Sequence, residues 1–448
     1  MEKPIYFKEG VKLLDYQQKV VDKYLNSDRS SYGLFLDLGT GKTATSLSIA
    51  LELYLSDKID KVQIICPSGL RTNWIVEINK FIKPEFHDLF LEPLGYPHLS
   101  RKKELNVTNR TLFILDEAHR VKNHQSKSTE YFFEKFADCY GALLLTGTPQ
   151  TNSALDLYTP CKVLGYANQG VMQFINEHCV EKLMKRGKMH FYVYTPEVRN
   201  LEKLMNGIAP YSSWIKTEDV LDLPEQIHID KFFSINKKQK ALLDVAAGKI
   251  KEESISSKVP EVKILEKHLP AIQLLLDGLM PDSGKIKTIS TDKIELLEEL
   301  LEENPEEQYI ILCLYHYEID QIREVLEKAK ISYVLRTGKS DKDEKDKAVT
   351  DFTSGSVRVL LGTVKANSEG LTLVNCRHMI YYSIDFDYLQ YAQSLKRIHR
   401  IGQDKTCYYY YLRSVDIKDD KYKGLDSIVL DVLGVKGTSL SELFDKGS

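Results

Sequence analysis

GLFLDLGTGKTATSLSIALEL, residues 33–53, opens with an apolar run, turns at two closely spaced glycines and continues with helical spacing. A short apolar run closed by a glycine turn reads as a buried strand, and the longer run after it as a helix. Strand, glycine turn and helix in that order make a cradle for a polyphosphate. A triphosphate needs backbone N–H groups pointing inward, and glycines permit that backbone shape. The start of the helix adds a favourable dipole. Lys42 is placed to reach the β- and γ-phosphates, and Thr43 to put its hydroxyl on Mg²⁺. The general phosphate loop carries a further glycine where Leu36 stands, so the cradle here is Gly39-Thr40-Gly41-Lys42-Thr43. A purely structural turn is the competing reading, and the strand–turn–helix context weighs against it.

Working outward, short apolar runs alternate with helical patterns, which is the signature of parallel-sheet α/β architecture. Strand candidates in the first third are 33–38, 62–66, 111–115 and 142–146. The alternation resumes at 309–314, 333–336, 357–361, 378–382 and 408–412. A chain of 448 residues is also too long for one ordinary core, so two domains are expected. We place them at 1–226, with a helical elaboration at about 150–222, and 227–448, with a helical insertion at about 236–305. DLPEQ (222–226) is the joint, and IHIDKFFSI (227–235) is a candidate strand entering the second block.

Composition bounds the function. Net charge is −3, from 61 basic and 64 acidic residues, so any polyanion must be held in a local groove. The seven cysteines lack CxxC spacing, and they read as reduced thiols, not a zinc site. No apolar run is long enough to span a bilayer, and MEKPIYFKEG lacks an export signal, so a cytoplasmic location is expected. No heptad seam is visible, and a monomer is the expectation.

TLFILDEAH (111–119) is an apolar strand ending in two carboxylates. In a parallel sheet it sets Asp116 and Glu117 at the carboxyl edge, beside the first loop. Asp116 would orient Mg²⁺ through its water shell, and Glu117 would orient or deprotonate the attacking water. A solvated strand end is the bland alternative, and pairing with GTGKT disfavours it.

GTGKT, DEAH and LTGTP (145–149), in that order, resemble the first lobe of a superfamily 2 helicase. Two stretches narrow the resemblance to the Snf-type (Swi/Snf-like) DNA translocases: ICPSGLRTNWIVEINKF (65–81) and RIHRIGQ (397–403). LLDYQQ (13–18), LTGTPQTNS (145–153) and WIKTEDVLDLP (214–224) are similar to further segments of that family, although Trp214 and Ile215 stand where arginines are usual. The resemblance covers nearly the whole chain. It implies an α/β fold of two RecA-like lobes with parallel sheets and helical insertions between the motif blocks. ATP would lie in the cleft between lobes, and duplex DNA across them.

Carried over residue by residue, the resemblance assigns Gln17 to adenine. It gives Thr146 and Thr148 the coupling of the ATP site to the DNA track. Thr363, Lys365 and Gly370, in LLGTVKANSEGLTL (360–373), match the fifth motif. Asn367 and Ser368 replace paired glycines there, and Thr372 replaces the usual Asn. His119 is expected to bridge motifs through hydrogen bonds. Candidate contacts to the phosphate track are Arg71, Lys122, Thr363 and Lys365.

The last motif, YAQSLKRIHRIGQ (391–403), reads as a helix from Tyr388 to about Ile401, stopped by Gly402. Gln393, Arg397 and Arg400 then fall at i, i+4 and i+7 and share a face. An ordinary solvated basic face would show the same pattern. Yet the first block offers a lysine and a magnesium site without an arginine for charge developing on the γ-phosphate. Arg400 is the expected finger and Arg397 its partner on the phosphates, since a planar guanidinium holds two oxygens at once. Gln403 is expected to help sense closure.

The expected activity is ATP-driven movement on duplex or branched DNA, sequence-tolerant and salt-sensitive. Compact relatives that remodel forks or migrate branches, phage ones included, are the nearest in organisation. The alternatives are a strand-separating helicase on single-stranded tails or RNA, and a nucleic-acid-binding scaffold whose ATPase has decayed.

Overall fold

In the computed structural model, residues 6–447 are described apart from 38, 151–152, 187–188, 258–260, 283–284, 368–370 and 417–423. The chain divides into two compact units. The first holds residues 1–182, 194–222 and 436–448, and the second holds 183–193 and 223–435.

The first unit is built on strands β1 (Tyr32–Leu36), β2 (Lys61–Cys66), β3 (Leu94–Gly95), β4 (Thr111–Asp116) and β5 (Gly141–Leu145). Later in the chain come a hairpin of β6 (Cys179–Arg186) and β7 (Met189–Val198), whose residues 183–193 belong to the second unit, and then β8 (Ser212–Ile215) of the first. The sheet runs β3-β2-β4-β5-β1-β8, with every pairing parallel. β1 and β5 are buried along their whole length. That is why they read as unbroken apolar runs, without alternation. β8 was not expected. Its sequence, SSWI, is half polar, yet it is pinned by Tyr32 Oη against Ser213 Oγ (2.9 Å) and by the Trp214 ring, 4.5 Å from Phe35.

The second unit carries β9 (Gln226–Ser234), the hairpin β10 (Leu279–Asp282) and β11 (Lys285–Thr288), β12 (Tyr309–Cys313), β13 (Tyr333–Arg336), β14 (Val359–Thr363), β15 (His378–Tyr381) and β16 (Cys407–Val415). Its main sheet is also all parallel, in the order β13-β14-β12-β15-β16-β9. Four consecutive tyrosines on β16 serve both faces. Tyr408 and Tyr410 stack on His378, whereas Tyr409 and Tyr411 stack on His228. The phenols find polar partners: Tyr410 Oη meets His378 Nδ1 at 3.1 Å, and Tyr411 Oη meets His228 Nδ1 at 2.8 Å.

Three boundaries differ from expectation. The elaboration at 150–222 is not purely helical, since it contains the β6–β7 hairpin and β8. The insertion at 236–305 has long helices, Lys237–Ser257, Glu261–Leu276 and Asp292–Glu303, and also the β10–β11 hairpin. The end of the chain leaves the second block. Residues 436–448 group with the first unit, where Lys216 pairs with Asp445 and donates to Ser441 Oγ at 3.0 Å. No helix among the described residues is long and apolar enough to cross a membrane.

Candidate nucleotide and nucleic-acid sites

β4, β5 and β1 are neighbours, and each ends at the same carboxyl edge of the first sheet. The three segments that leave them are therefore brought together, as open α/β sheets bring ligand-binding loops together. After β1 the chain turns through Gly39 and Gly41, with φ of +85° and +81°, a region that favours glycine. Helix Lys42–Leu55 starts directly after, so its first N–H groups face the turn. Lys42 Nζ donates to the carbonyls of Leu36 (2.9 Å) and Asp37 (3.2 Å), folded over its own loop. Thr43 lies half-buried on the first turn.

Gln17 sits against this loop. Its Nε2 donates to the Thr40 carbonyl at 3.0 Å, a carbonyl that also accepts from Tyr16 Oη at 2.9 Å, and its Oε1 accepts from Leu14 N at 2.9 Å. A Cβ on Gly41 would run into Gln17 Nε2, so the second glycine is needed for this approach as well as for its φ. The residue expected at adenine is thus one hydrogen bond from the phosphate cradle.

Asp116 ends β4 and is held on two sides. Trp74 Nε1 donates to Oδ2 at 2.9 Å, and Glu117 N donates to Oδ1 at 3.1 Å. Burial pushes this carboxyl above the ordinary range, while the Trp74 indole and then the Lys42 ammonium pull it back. Oxygen donors from Asp116 and Thr43 beside a lysine and a glycine cradle are the hard ligand set that suits a magnesium–triphosphate. The residues present fit that group.

Glu117 is left-handed, at φ +53° and ψ +53°, which a non-glycine residue adopts at some cost. Its Oε2 lies 3.3 Å from His119 Nδ1. Burial, with Arg120 and Lys122 nearby, holds His119 down at about 3, so the ring is neutral and this contact is not an ion pair. The same Nδ1 is 3.2 Å from Thr146 Oγ1, which accepts from Thr148 N at 3.0 Å. His119 therefore joins the carboxylate of one segment to the hydroxyl of the next. Thr148 Oγ1 is buried and has no hydrogen-bond partner among the described residues.

Trp74 lies within ICPSGLRTNWIVEINKF, and nothing in that local pattern shows that its indole reaches Asp116. Trp74→Phe removes the donor that favours the charged carboxylate. The acid limb of the pH profile for ATP turnover should then move to higher pH. Magnesium–ATP affinity at neutral pH should fall about tenfold, the worth of one hydrogen bond to a charged group. Isothermal titration across pH checks both.

In the second unit the helix at the last motif is shorter than expected. It covers Tyr388–Leu395, and irregular turns follow to Gly402 (φ +98°). Tertiary bonds take the groups that a longer helix would use. Tyr409 Oη donates to the Leu395 carbonyl at 2.7 Å, and Leu373 N donates to the Arg397 carbonyl at 3.0 Å. Gln393, Arg397 and Arg400 therefore do not share a helical face. The arginines converge by another route: Arg397 Nη1 and Arg400 Nη1 both donate to the Leu371 carbonyl, at 3.1 and 3.0 Å. Gln393 is buried in the last helical turn. Gln403 is clipped inside its own unit. Its Nε2 lies 3.2, 3.0 and 3.1 Å from the carbonyls of Val374, Cys376 and Ile398, and its Oε1 accepts from Lys405 N at 3.1 Å.

Leu371 lies within the fifth motif, of which Gly370 lies outside the described residues. Thr363 ends β14, and its Oγ1 accepts from Ala366 N at 3.3 Å, while Lys365 is exposed. Asn367, where the resembling family has glycine, is buried and structural. Its Nδ2 donates to Thr363 O at 2.9 Å and to Arg336 O at 3.3 Å, tying β14 to β13.

Of the lysines and arginines expected at the phosphate track, Lys122 pairs with Asp156 at 3.3 Å and is half-buried. Arg71 donates through Nε to the Pro93 carbonyl at 2.6 Å and pairs with Glu92. Arg71 also lines a pocket of about 190 Å³ with Ser68, His98, Arg101 and Lys103. The RKK run at 101–103 was visible in the sequence, and its neighbourhood was not. The basic and aromatic stretch at 182–194 has its side chains outside the described residues, apart from Tyr194.

Two families match the chain: the SNF2-related domain over residues 91–267, and the helicase conserved C-terminal domain over residues 292–402. Among curated relatives, the uncharacterized ATP-dependent helicase YqhH of Bacillus subtilis is 24% identical over 435 residues, covering 89% of this chain and 74% of its own length. The DNA repair and recombination protein RDH54 of Saccharomyces cerevisiae is 23% identical over 467 residues, covering 88% of this chain and 50% of its own. The chain thus spans about half the length of RDH54. The SWI2/SNF2 ATPase core of Sulfolobus solfataricus in complex with dsDNA is similar at 21% identity, covering 99% of this chain and 98% of that one, with a TM-score of 0.40.

Proposed function

We propose, for a chain that belongs to the SNF2-type branch of the superfamily 2 helicases, that ATP hydrolysis drives its movement along duplex or branched DNA. The chain is an ATPase of that family. The observation that carries the proposal is the run of close contacts from Glu117 past His119 to Thr146 and Thr148. Such a route lets a change at the scissile phosphate reach a segment outside the ATP pocket.

Lys42 would exchange its two loop carbonyls for phosphate oxygens when ATP binds. Asp116 and Thr43 would hold magnesium, which when bound neutralises phosphate charge. Glu117, aimed by the neutral His119, would orient the attacking water and take its proton. Arg400, with Arg397, would leave the Leu371 carbonyl and stabilise charge on the transferring phosphoryl group. Catalysis would therefore need both halves, and turnover would open and close them. Fork reversal or branch migration is the DNA transaction we favour. The repair and recombination role in the name of RDH54 supports that choice.

ATP turnover should be stimulated by duplex, forked and four-way DNA more than by single strands. Stimulation by RNA alone would refute the proposal. DNA affinity should fall steeply with salt and hardly vary with sequence. Arg101→Gln and Lys103→Gln should each weaken all sequences alike and reduce the slope of log K against log salt by about 1. An unchanged slope in both variants would remove that pocket from the DNA track.

A further inference from the structure

The segment joining the two units is anchored on each side of the boundary between Asp222 and Leu223. On the first side Thr217 Oγ1 donates to Asp37 Oδ2 at 2.7 Å, and Asp37 N donates to Ile215 O at 2.9 Å. Asp37 is the first residue after β1, just ahead of the phosphate loop. Its carbonyl accepts from Lys42 Nζ at 3.2 Å and from Thr40 Oγ1 at 2.6 Å. The joint is therefore rooted in the cradle itself.

On the second side His399 Nε2 meets the Pro224 carbonyl at 2.7 Å, with the imidazole buried. A carbonyl only accepts, so Nε2 carries the proton. His399 lies between Arg397 and Arg400 in sequence. Immediately after Pro224, the Glu225 carbonyl accepts from Cys407 N at 2.9 Å, and β9 pairs with β16 in register from Gln226 to Ser234. The joint thus enters the second sheet clamped to the segment that carries the arginines. Only residues 218–223 separate the two anchors, a stretch that spans roughly 25 Å from Thr217 to Pro224 at full extension.

We propose that Thr217–Pro224 is a coupling strap, and that His399 is the positioning residue that makes the arginine turn follow it. The anchors tie one end to the phosphate loop through Asp37 and the other to Arg397 and Arg400 through His399. Movement of the joint then reaches both sets of catalytic groups together. The inference rests on the proposed DNA-stimulated ATPase and adds how its two halves are kept in step.

The experiment compares DNA-stimulated ATP turnover in the full-length wild type, His399→Ala, His399→Gln and a variant with four glycines inserted after Asp222. His399→Ala and the insertion should lower the DNA-stimulated kcat about tenfold, with KM for ATP and the thermal midpoint unchanged. His399→Gln, which retains a donor, should recover most of the rate. Full stimulated kcat in His399→Ala would overturn the strap. A rate loss matched by a fall in thermal midpoint, without rescue by glutamine, would overturn it too. A wild type that DNA does not stimulate sinks the functional reading and the strap with it. Stimulation in the wild type that survives His399→Ala sinks the strap alone.

Discussion

Arg400→Ala should lower kcat for ATP hydrolysis by about 10³-fold or more, the scale on which an arginine finger acts in related NTPases. The size follows from where the charge goes. As the γ-phosphoryl group transfers, negative charge spreads over its equatorial oxygens, and a guanidinium can hold two of them at once. Arg400 now donates to the Leu371 carbonyl at 3.0 Å, a neutral acceptor that is easily exchanged. Without this side chain Arg397 still donates to that carbonyl at 3.1 Å, so the fold should survive. ATP affinity should change little, because the proposed contact would belong to the transition state and not to the ground state. Arg400→Lys should recover only part of the loss. A variant with wild-type kcat would take Arg400 out of the reaction, and circular dichroism would show whether a slow variant had kept its fold.

Lys42→Ala should reduce kcat/KM for ATP by about 10²–10³, the cost of removing one preorganised charged donor. Its ammonium now bonds Leu36 O and Asp37 O, so the loop loses two hydrogen bonds as well. A second effect separates this variant from Arg400→Ala. Lys42 helps keep Asp116 ionised against burial, and without it the carboxyl moves further above its ordinary range. In the proposed site magnesium–ATP binding would need the carboxylate, so its acid limb should shift to higher pH, whereas Arg400→Ala should leave that limb in place. DNA affinity and its salt slope should be unchanged in both, as neither residue lines the basic pocket around Arg71.

Both sheets were legible in the sequence because their central strands are buried on both faces. β1, β5 and β12 read as plain apolar runs. β8 was not, since Ser212 and Ser213 bury their hydroxyls in specific bonds, Ser212 Oγ to Ile208 O at 2.7 Å among them. Local patterns do not show such partners. The glycine turn and the paired carboxylates were legible for the opposite reason, because their chemistry dictates the residue types. The end of the helix at Leu395 was not legible. It depends on Tyr409, 14 residues further on and on strand β16, whose hydroxyl claims the Leu395 carbonyl. For the two arginines a shared helical face was expected, and a shared carbonyl brings them together instead. Trp74 and the His399–Pro224 bond could not be read at all, because each joins segments that only the fold makes neighbours.

The account turns on the proposal that Lys42, Asp116 and Thr43 act on the same ATP as Arg397 and Arg400. The most direct test is a structure of the protein with duplex DNA, magnesium, ADP and a fluoride mimic of the γ-phosphate. The account predicts Arg400 within hydrogen-bonding distance of the mimic, about 3 Å, with Lys42 on the same group and the Leu371 carbonyl released. Arg397 and Arg400 still bonded to Leu371, with the mimic enclosed by the first unit alone, would contradict it.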